Sequence, residues 1–422
     1  MRQLSVFIEK NGKQLHVGQI CGNDHDDACF SYASDYLEMD DPVPISIGLP
    51  LSKAPFSPQQ TRNFFEGLLP EGFSRKAVAQ WIKTDERDYL TILKHLGQEC
   101  LGAIAINYDP DYQNSGYQRL SKEQVRELAR EGVTSSVKLL METHLSLTGA
   151  TGKAGFYLDE KNGEFYLPYG QCASTHIVKQ SHVRLRQIVL NEQLCLLTAK
   201  HIGIEIPESS VIRLGSMKDE DILFATKRYD RKVVGSATGM PIVRRLHQED
   251  FAQAMGISSE KKYEHENKGY LSGMFRLIRE NASDPIADQI RLWDRIVFDY
   301  LIGNTDGHLK NYSILYDENL GGKRLAPAYD IICTGIYGNM KEMSLFIGDD
   351  LILEKINRES FLKAAESANL GRKAAMQRFD YLAGQFEEAL SCAVREMESV
   401  GFEDAGEIGQ KILECGGYCR IL

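Results

Sequence analysis

The stretch Gly303-Asn304-Thr305-Asp306-Gly307-His308-Leu309-Lys310-Asn311 interrupts an apolar helical run, DQIRLWDRIVFDYLIGN, with nine mostly polar residues. A break of this kind in a core element usually has a functional reason. Asp306 and Asn311 stand five apart, and Asp330 follows nineteen residues later in the apolar frame Leu325-Ala326-Pro327-Ala328-Tyr329-Asp330-Ile331. Phosphoryl transfer uses such a set: one carboxylate accepts or orients the attacking hydroxyl, and two later oxygen ligands hold magnesium against the phosphates. A polar loop that only caps a helix has the same spacing, so these three residues do not decide the matter alone.

A nucleotide-binding lobe also needs a loop over the phosphates and a lysine on a neighbouring strand. Ser146-Leu147-Thr148-Gly149-Ala150-Thr151-Gly152-Lys153 precedes the strand pattern GFYL, and its glycines would let backbone N–H groups approach phosphates. It is not a Walker A loop, which would need Gly where Leu147 stands and Ser or Thr where Ala154 stands. Lys179 closes the strand pattern His176-Ile177-Val178-Lys179, and Glu192 lies on the next helix, where it could orient that lysine. A plain hairpin turn and a solvated strand-end lysine are the structural alternatives. The order of loop, strand lysine, helix glutamate and then Asp, Asn, Asp favours the kinase reading.

Around these parts the chain reads as α+β. Leu4-Val6-Ile8 and Leu15-Val17-Ile20 alternate about Asn11-Gly12, a hairpin signal. Ser57-Pro58-Gln59-Gln60 opens a helix carrying Phe64, Phe65, Leu68 and Leu69. A boundary is expected near 110 to 135. Residues 155 to 230 mix strands with a helix at NEQLCLLTAKHIG, and from Asp250 onward the helical period dominates. In 422 residues, Lys plus Arg number 49 against 59 Asp plus Glu, a net charge of −10 that argues against a generally basic nucleic-acid surface. Nine scattered cysteines and an amino terminus without a secretory pattern point to a reducing, cytoplasmic setting. No window is apolar enough for a membrane span.

Taken together, these segments resemble the HipA-type kinases, the serine/threonine kinase toxins of bacterial type II toxin–antitoxin pairs. PISIGLPLSKAPFSPQQTRNFFEGLLPEG at 44 to 72 resembles their amino-terminal domain, SLTGATGK at 146 to 153 their phosphate loop, and THIVK at 175 to 179 their strand lysine. TKRYDR at 226 to 231, RLHQEDFAQAMG at 245 to 256, DYLIGNTDGHLKN at 299 to 311 and LAPAYDI at 325 to 331 follow in the family order. The resemblance implies a kinase-like, two-lobed α+β fold: an amino-terminal domain over 1–110, a kinase N-lobe over 111–245 and an all-helical C-lobe over 246–422. It implies ATP and magnesium as cofactors, with Asp306 as catalytic base and Asn311 and Asp330 holding the metal. Thr148, Gly149, Ala150, Thr151, Gly152, Lys153 and Lys179 would contact phosphates, His308 and Lys310 would line the catalytic loop, and Lys227 and Tyr229 would give backbone contacts to adenine. Ser146 matches the serine that such kinases phosphorylate on themselves, which inactivates them.

The family further implies a small helix-turn-helix antitoxin that carries the DNA contacts, and protein substrates such as aminoacyl-tRNA synthetases. Two positions depart from its pattern: Thr151 stands where Gln is usual, and Gly307 where Arg usually follows the catalytic Asp. Two other functions remain open here. One is a lipid or small-molecule kinase, against which the 44 to 72 motif argues, and the other an ATP-binding corepressor without transfer activity. Asp24-His25-Asp26-Asp27 reads as a solvated loop, Cys415 and Cys419 lack the further ligands a zinc site needs, and Trp81 and Trp293 read as core residues.

Overall fold

Strand β1 (Arg2–Lys10) turns into β2 (Lys13–Gly22) through Asn11 and Gly12, whose φ values of 52° and 78° give the doubly left-handed turn that matches strand twist. The computed structural model describes residues 1–109, 111–112, 114–131, 153–181, 185–215, 218–237, 239–338 and 341–421. The chain divides into two units: Met1–Arg184 with Ser209–Ser259 and Leu315–Gly322, and Leu185–Glu208 with Glu260–Ile314 and Lys323–Leu422.

In the first unit, β3 (Cys29–Tyr32) and β4 (Ile104–Ile106) complete an antiparallel sheet in the order β3-β2-β1-β4. Leu4, Val6 and Ile8 alternate into its buried face, as their spacing predicts. Helix α1 (Pro58–Phe65) starts where expected: Ser57 accepts from the Gln60 amide, Gln60 reaches back to Ser57, and Pro58 fits the first turn. Two more helices follow, α2 (Gly72–Trp81) and α3 (Tyr89–Leu96). Trp81 is not in the core. It is 58% exposed, because α2 buries Ser74, Val78 and Ala79 while its last residue stands at the turn through Lys83.

A second sheet of this unit has six strands: β5 (Gly116–Arg119), β6 (Lys153–Asp159), β7 (Glu164–Tyr169), β8 (His176–Gln180), β9 (Ser209–Arg213) and β10 (Ile222–Lys227). They lie in the order β5-β7-β6-β8-β10-β9. Helix α4 (Lys122–Glu131) sends Val125, Leu128 and Ala129 against Phe156, Phe165, Val178 and Leu223 of this sheet. An exposed ribbon of β11 (Arg231–Ala237) and β12 (Met240–Arg245) follows, then β13 (Gln248–Asp250).

The two parts of this unit are joined by charge. Arg228, 2% exposed, reaches Glu99 at 3.1 Å, Ser174 at 3.0 Å and Asp230 at 2.7 Å. Arg231 donates to the Gly102 and Cys100 carbonyls, each at 2.9 Å. Burial would raise the Asp230 carboxyl, but Arg228 and Arg231 hold it well below the usual range. Breaking one member of such a buried set costs about 3 to 5 kcal/mol, since it strands the opposite charge.

The second unit carries the long helices: α5 (Ile188–His201), α6 (Tyr270–Asn281), α7 (Pro285–Ile302), α8 (Arg358–Ser367), α9 (Arg372–Ser399) and α10 (Ala405–Cys415). Trp293, 1% exposed, packs against Phe361 and donates to the Ala375 carbonyl at 2.9 Å, joining α7, α8 and α9. The C-terminal part is not wholly helical. Strands β14 (Ser313–Tyr316), β15 (Lys323–Leu325), β16 (Glu342–Ile347) and β17 (Asp350–Ile352) interrupt it. Met343-Ser344-Leu345-Phe346-Ile347 is a mostly apolar run of strand length closed by Gly348 at φ 64°, too short to stand out from the surrounding helical period. Among the described residues no helix is long and apolar enough to cross a membrane.

Candidate active site

Helix α7 ends at Gly303, whose φ of 74° closes it with a left-handed cap. The polar stretch therefore ends the helix, and strand β14, not more helix, follows it. Asp306 is half-buried, while Asn304, Thr305, His308, Lys310 and Asn311 around it are buried. Asn311 Nδ2 donates to the Asp306 carbonyl at 2.8 Å, and the Asn311 amide donates to the His308 carbonyl at 2.9 Å. The loop is thus folded back on itself, so that the five-residue spacing places Asn311 beside Asp306. Tyr263 donates its phenol proton to Asp306 Oδ1 at 2.6 Å.

Beneath the loop lies an ion pair on α7. Arg295 Nε meets Asp299 Oδ2 at 2.8 Å, both residues being almost fully buried. Asp299 also accepts from Asn304 Nδ2 at 2.8 Å and from the Tyr312 phenol at 2.7 Å. Burial alone would lower the Arg295 pKa, but Asp299 and Tyr312 more than offset this and hold it above its ordinary value. Burial and then Asp299 push the Tyr312 phenol well up, so it remains a donor. A Cβ at Gly307 would stand 3.2 Å from Asp299 Oδ2, so this position packs closely over the pair.

The same arginine reaches the next candidate. Arg295 Nη2 donates to the Tyr329 carbonyl at 3.1 Å, immediately before Asp330. Tyr329 in turn donates its phenol to the Lys310 carbonyl at 2.9 Å. Asp330 is half-buried and has φ 53°, a left-handed conformation that costs a non-glycine residue on the order of 1 kcal/mol. Its far side is held by Asn191 of α5, which donates to the Cys333 carbonyl at 2.9 Å and accepts from the Cys333 amide at 3.1 Å. Glu192 follows Asn191 on α5 and is buried. A half-buried carboxylate such as Asp330 and the amide oxygen of the buried Asn311 are groups that suit a hard cation completing its shell with phosphate and water. Among the described residues no group of three or more His, Cys, Asp and Glu gathers as a self-sufficient metal centre.

In the first unit, Lys179 lies on β8 and is buried. Its register partner on β6 is Lys153, so two lysines stand side by side on one face. Lys179 Nζ also lies 5.6 Å from the Phe224 ring, its register partner on β10. Lys227 ends β10, and Tyr229 follows in the turn fixed by Arg228 and Asp230. Ser146, Thr148, Gly149, Ala150, Thr151 and Gly152 lie outside the described residues.

Asn191, Arg295, Asp299 and Tyr263 were not singled out by the sequence. For Arg295 and Asp299 a signal existed: two opposite charges four apart in the mostly apolar second half of the helix, Arg295 to Ile302. Of the sites set aside, Asp24 to Asp27 form a turn in which Asp27 Oδ1 accepts from the Asn23 and Asp24 amides. The nine cysteines are unpaired.

Two family models match: a HipA-like C-terminal domain over residues 145–390 and a HipA N-terminal domain over residues 11–107. Among relatives, Y4mE of Sinorhizobium fredii, named as a kinase, is 30% identical over 92% of each chain. The serine/threonine-protein kinase toxin HipA of Shewanella oneidensis is 23% identical over 98% of this chain and 96% of its own. Among solved structures, a chain from the complex of Shewanella oneidensis HipA, HipB and operator DNA aligns with a TM-score of 0.77 at 20% identity, over 99% of this chain and 97% of that one.

Proposed function

The chain belongs to the HipA family and has its kinase-like α+β fold, and from that premise we propose that it is an ATP-dependent serine/threonine protein kinase that acts as a toxin. The observation that carries the reading is the pairing of Asp306 with Asn311, set over the buried Arg295–Asp299 pair that also reaches the Asp330 segment. Relatives named as kinases support the class.

In this proposal Asp306 takes the proton of an acceptor serine or threonine hydroxyl as that oxygen bonds to the γ-phosphorus. The bond from phosphorus to the ADP oxygen breaks, and its electron pair leaves with ADP. Bound magnesium would supply charge neutralisation on the phosphates, and Asn311 and Asp330 are the residues that would hold it. Lys179 and Lys153, with the loop Thr148 to Gly152, would meet the phosphates, and Glu192 would orient Lys179. Lys227 and Tyr229 would offer backbone groups to adenine, and His308 and Lys310 would line the loop. Residues 1–110, 111–245 and 246–422 would serve as amino-terminal domain, N-lobe and C-lobe.

The neighbouring HipA was solved with HipB and operator DNA, which supports a helix-turn-helix antitoxin as this chain's partner. The substrate class we propose is a translation protein such as an aminoacyl-tRNA synthetase, with self-phosphorylation on Ser146 as a brake. A phosphate there adds about −1.5 to −2 charges beside a loop meant to cradle another polyanion. The test is intact and peptide mass spectrometry after incubation with magnesium and ATP, beside Asp306→Ala. A phosphate on Ser146 that vanishes in the variant is the expected result. Bound ATP with no transfer by the natural chain would overturn the kinase reading in favour of a corepressor.

A further inference from the structure

Tyr263 stands 43 residues before Asp306, outside every motif described above, yet its phenol lies 2.6 Å from Asp306 Oδ1. The contact is built rather than incidental. Glu264, 2% exposed, fixes the backbone around Tyr263: its Oε1 accepts from the Lys268 and Tyr270 amides at 2.9 and 3.0 Å, and its Oε2 from the Phe346 amide at 3.0 Å. The Glu264 amide donates to the Ser344 carbonyl at 2.9 Å, and Ser344 Oγ donates to the Thr305 carbonyl at 2.7 Å. On the other side the Leu309 amide donates to the Lys262 carbonyl at 3.3 Å. Residues 262 to 264 are therefore sewn to both ends of the loop that carries Asp306. The Tyr263 ring also packs edge-on against His308, with centroids 5.0 Å apart at 88°.

We propose that Tyr263 is a positioning residue for phosphoryl transfer: its hydroxyl fixes the rotamer of the Asp306 carboxylate, so that the proton acceptor is already oriented when the acceptor hydroxyl arrives. The proposal rests on Asp306 being the base. A carboxylate offers two oxygens and about four lone-pair sites, so accepting one phenol leaves capacity for a substrate hydroxyl. Holding a reacting group in place matters because a misplacement near 1 Å can cost about a hundredfold in rate. A phenol on this oxygen has a second reading, in which it blocks the acceptor, and that reading predicts the opposite sign.

The experiment uses the full chain with Tyr263→Phe, which keeps the ring against His308 and removes only the hydroxyl. Single-turnover phosphate incorporation is followed by intact mass with magnesium and ATP, and nucleotide affinity is measured by calorimetry. The expected result is a transfer rate reduced about tenfold or more, with nucleotide affinity unchanged. In an Asp306→Asn background the same substitution should have no further effect on the residual rate. A purely structural role of the ring predicts that Phe is silent, and a silent Phe overturns the proposal. A faster Tyr263→Phe overturns it in favour of a blocking phenol, and equal losses in both backgrounds overturn it by removing the link to Asp306. Absence of transfer in the natural chain would instead overturn the kinase reading, and the positioning role with it.

Discussion

Burial moves one carboxyl in this chain further than its hydrogen-bond donors can restore. Glu249 is 1% exposed and accepts from Ser46 Oγ at 2.5 Å, from the Ile47 amide at 2.9 Å and from the Tyr316 phenol. Burial raises its pKa, those three donors lower it, nearby Asp250 raises it again, and the result is a carboxyl pushed up to about 7. A protonated Glu249 can donate to Ser46, whose hydroxyl then accepts. The unfolded chain releases this proton near pH 4.3, so between there and about pH 7 the folded form binds more protons. Its contribution to stability is full below about 4.3 and lost as pH rises through 7, a change on the order of 3 kcal/mol. Urea midpoints should therefore fall from pH 5 to 8 more steeply in the natural chain than in Glu249→Gln, which mimics the neutral acid. Equal slopes would show that Glu249 is ionised throughout.

At the scale of elements, the Asp330 segment is held from two helices. Arg295 of α7 grips the Tyr329 carbonyl before it, and Asn191 of α5 grips both polar groups of the Cys333 peptide after it. A backbone in a left-handed conformation persists only where its surroundings over-determine it. Asn191→Leu removes both bonds and leaves a buried peptide unsatisfied, a loss of about 2 to 4 kcal/mol. The proposed role of Asp330 gives a second expectation: the magnesium-dependent part of ATP affinity, taken by calorimetry with and without the metal, should weaken about tenfold. An unchanged magnesium dependence would separate Asn191 from the proposed metal site. The same clamp shows what could be read beforehand. Asp306, Asn311 and Asp330 could be picked out as candidates because polar residues at fixed spacing break an apolar pattern, and the structure sets Asn311 beside Asp306. The Asn11-Gly12 hairpin and the start of α1 were legible, because local turn and cap chemistry acts over a few residues. Asn191 was not, because one of several polar residues on that helix carries no signal until Cys333, 142 residues away, is placed beside it. Tyr263 was missed for the same reason. The β16–β17 hairpin was missed because a run of four apolar residues and one serine fits a strand and a buried helix equally well.

For the whole molecule, charge is the quantity that decides how it could meet DNA. With 49 basic against 59 acidic residues the chain carries −10, and a polyanion repels it on average. Each phosphate that a protein neutralises adds about 0.9 to the steepness with which log affinity falls against log salt. If the proposed helix-turn-helix antitoxin makes the phosphate contacts, that slope belongs to the antitoxin. Adding this chain to an antitoxin–operator complex should then leave the slope unchanged to within about one contact, whatever it does to the affinity itself. The chain alone should not shift operator DNA in a gel near physiological salt. The measurement is an operator titration at several salt concentrations, with the antitoxin alone and with both proteins. A slope steeper by several contacts in the presence of this chain would mean that a local basic surface touches the duplex in spite of the net charge. The proposed division of labour between this acidic chain and a DNA-reading partner would then be wrong.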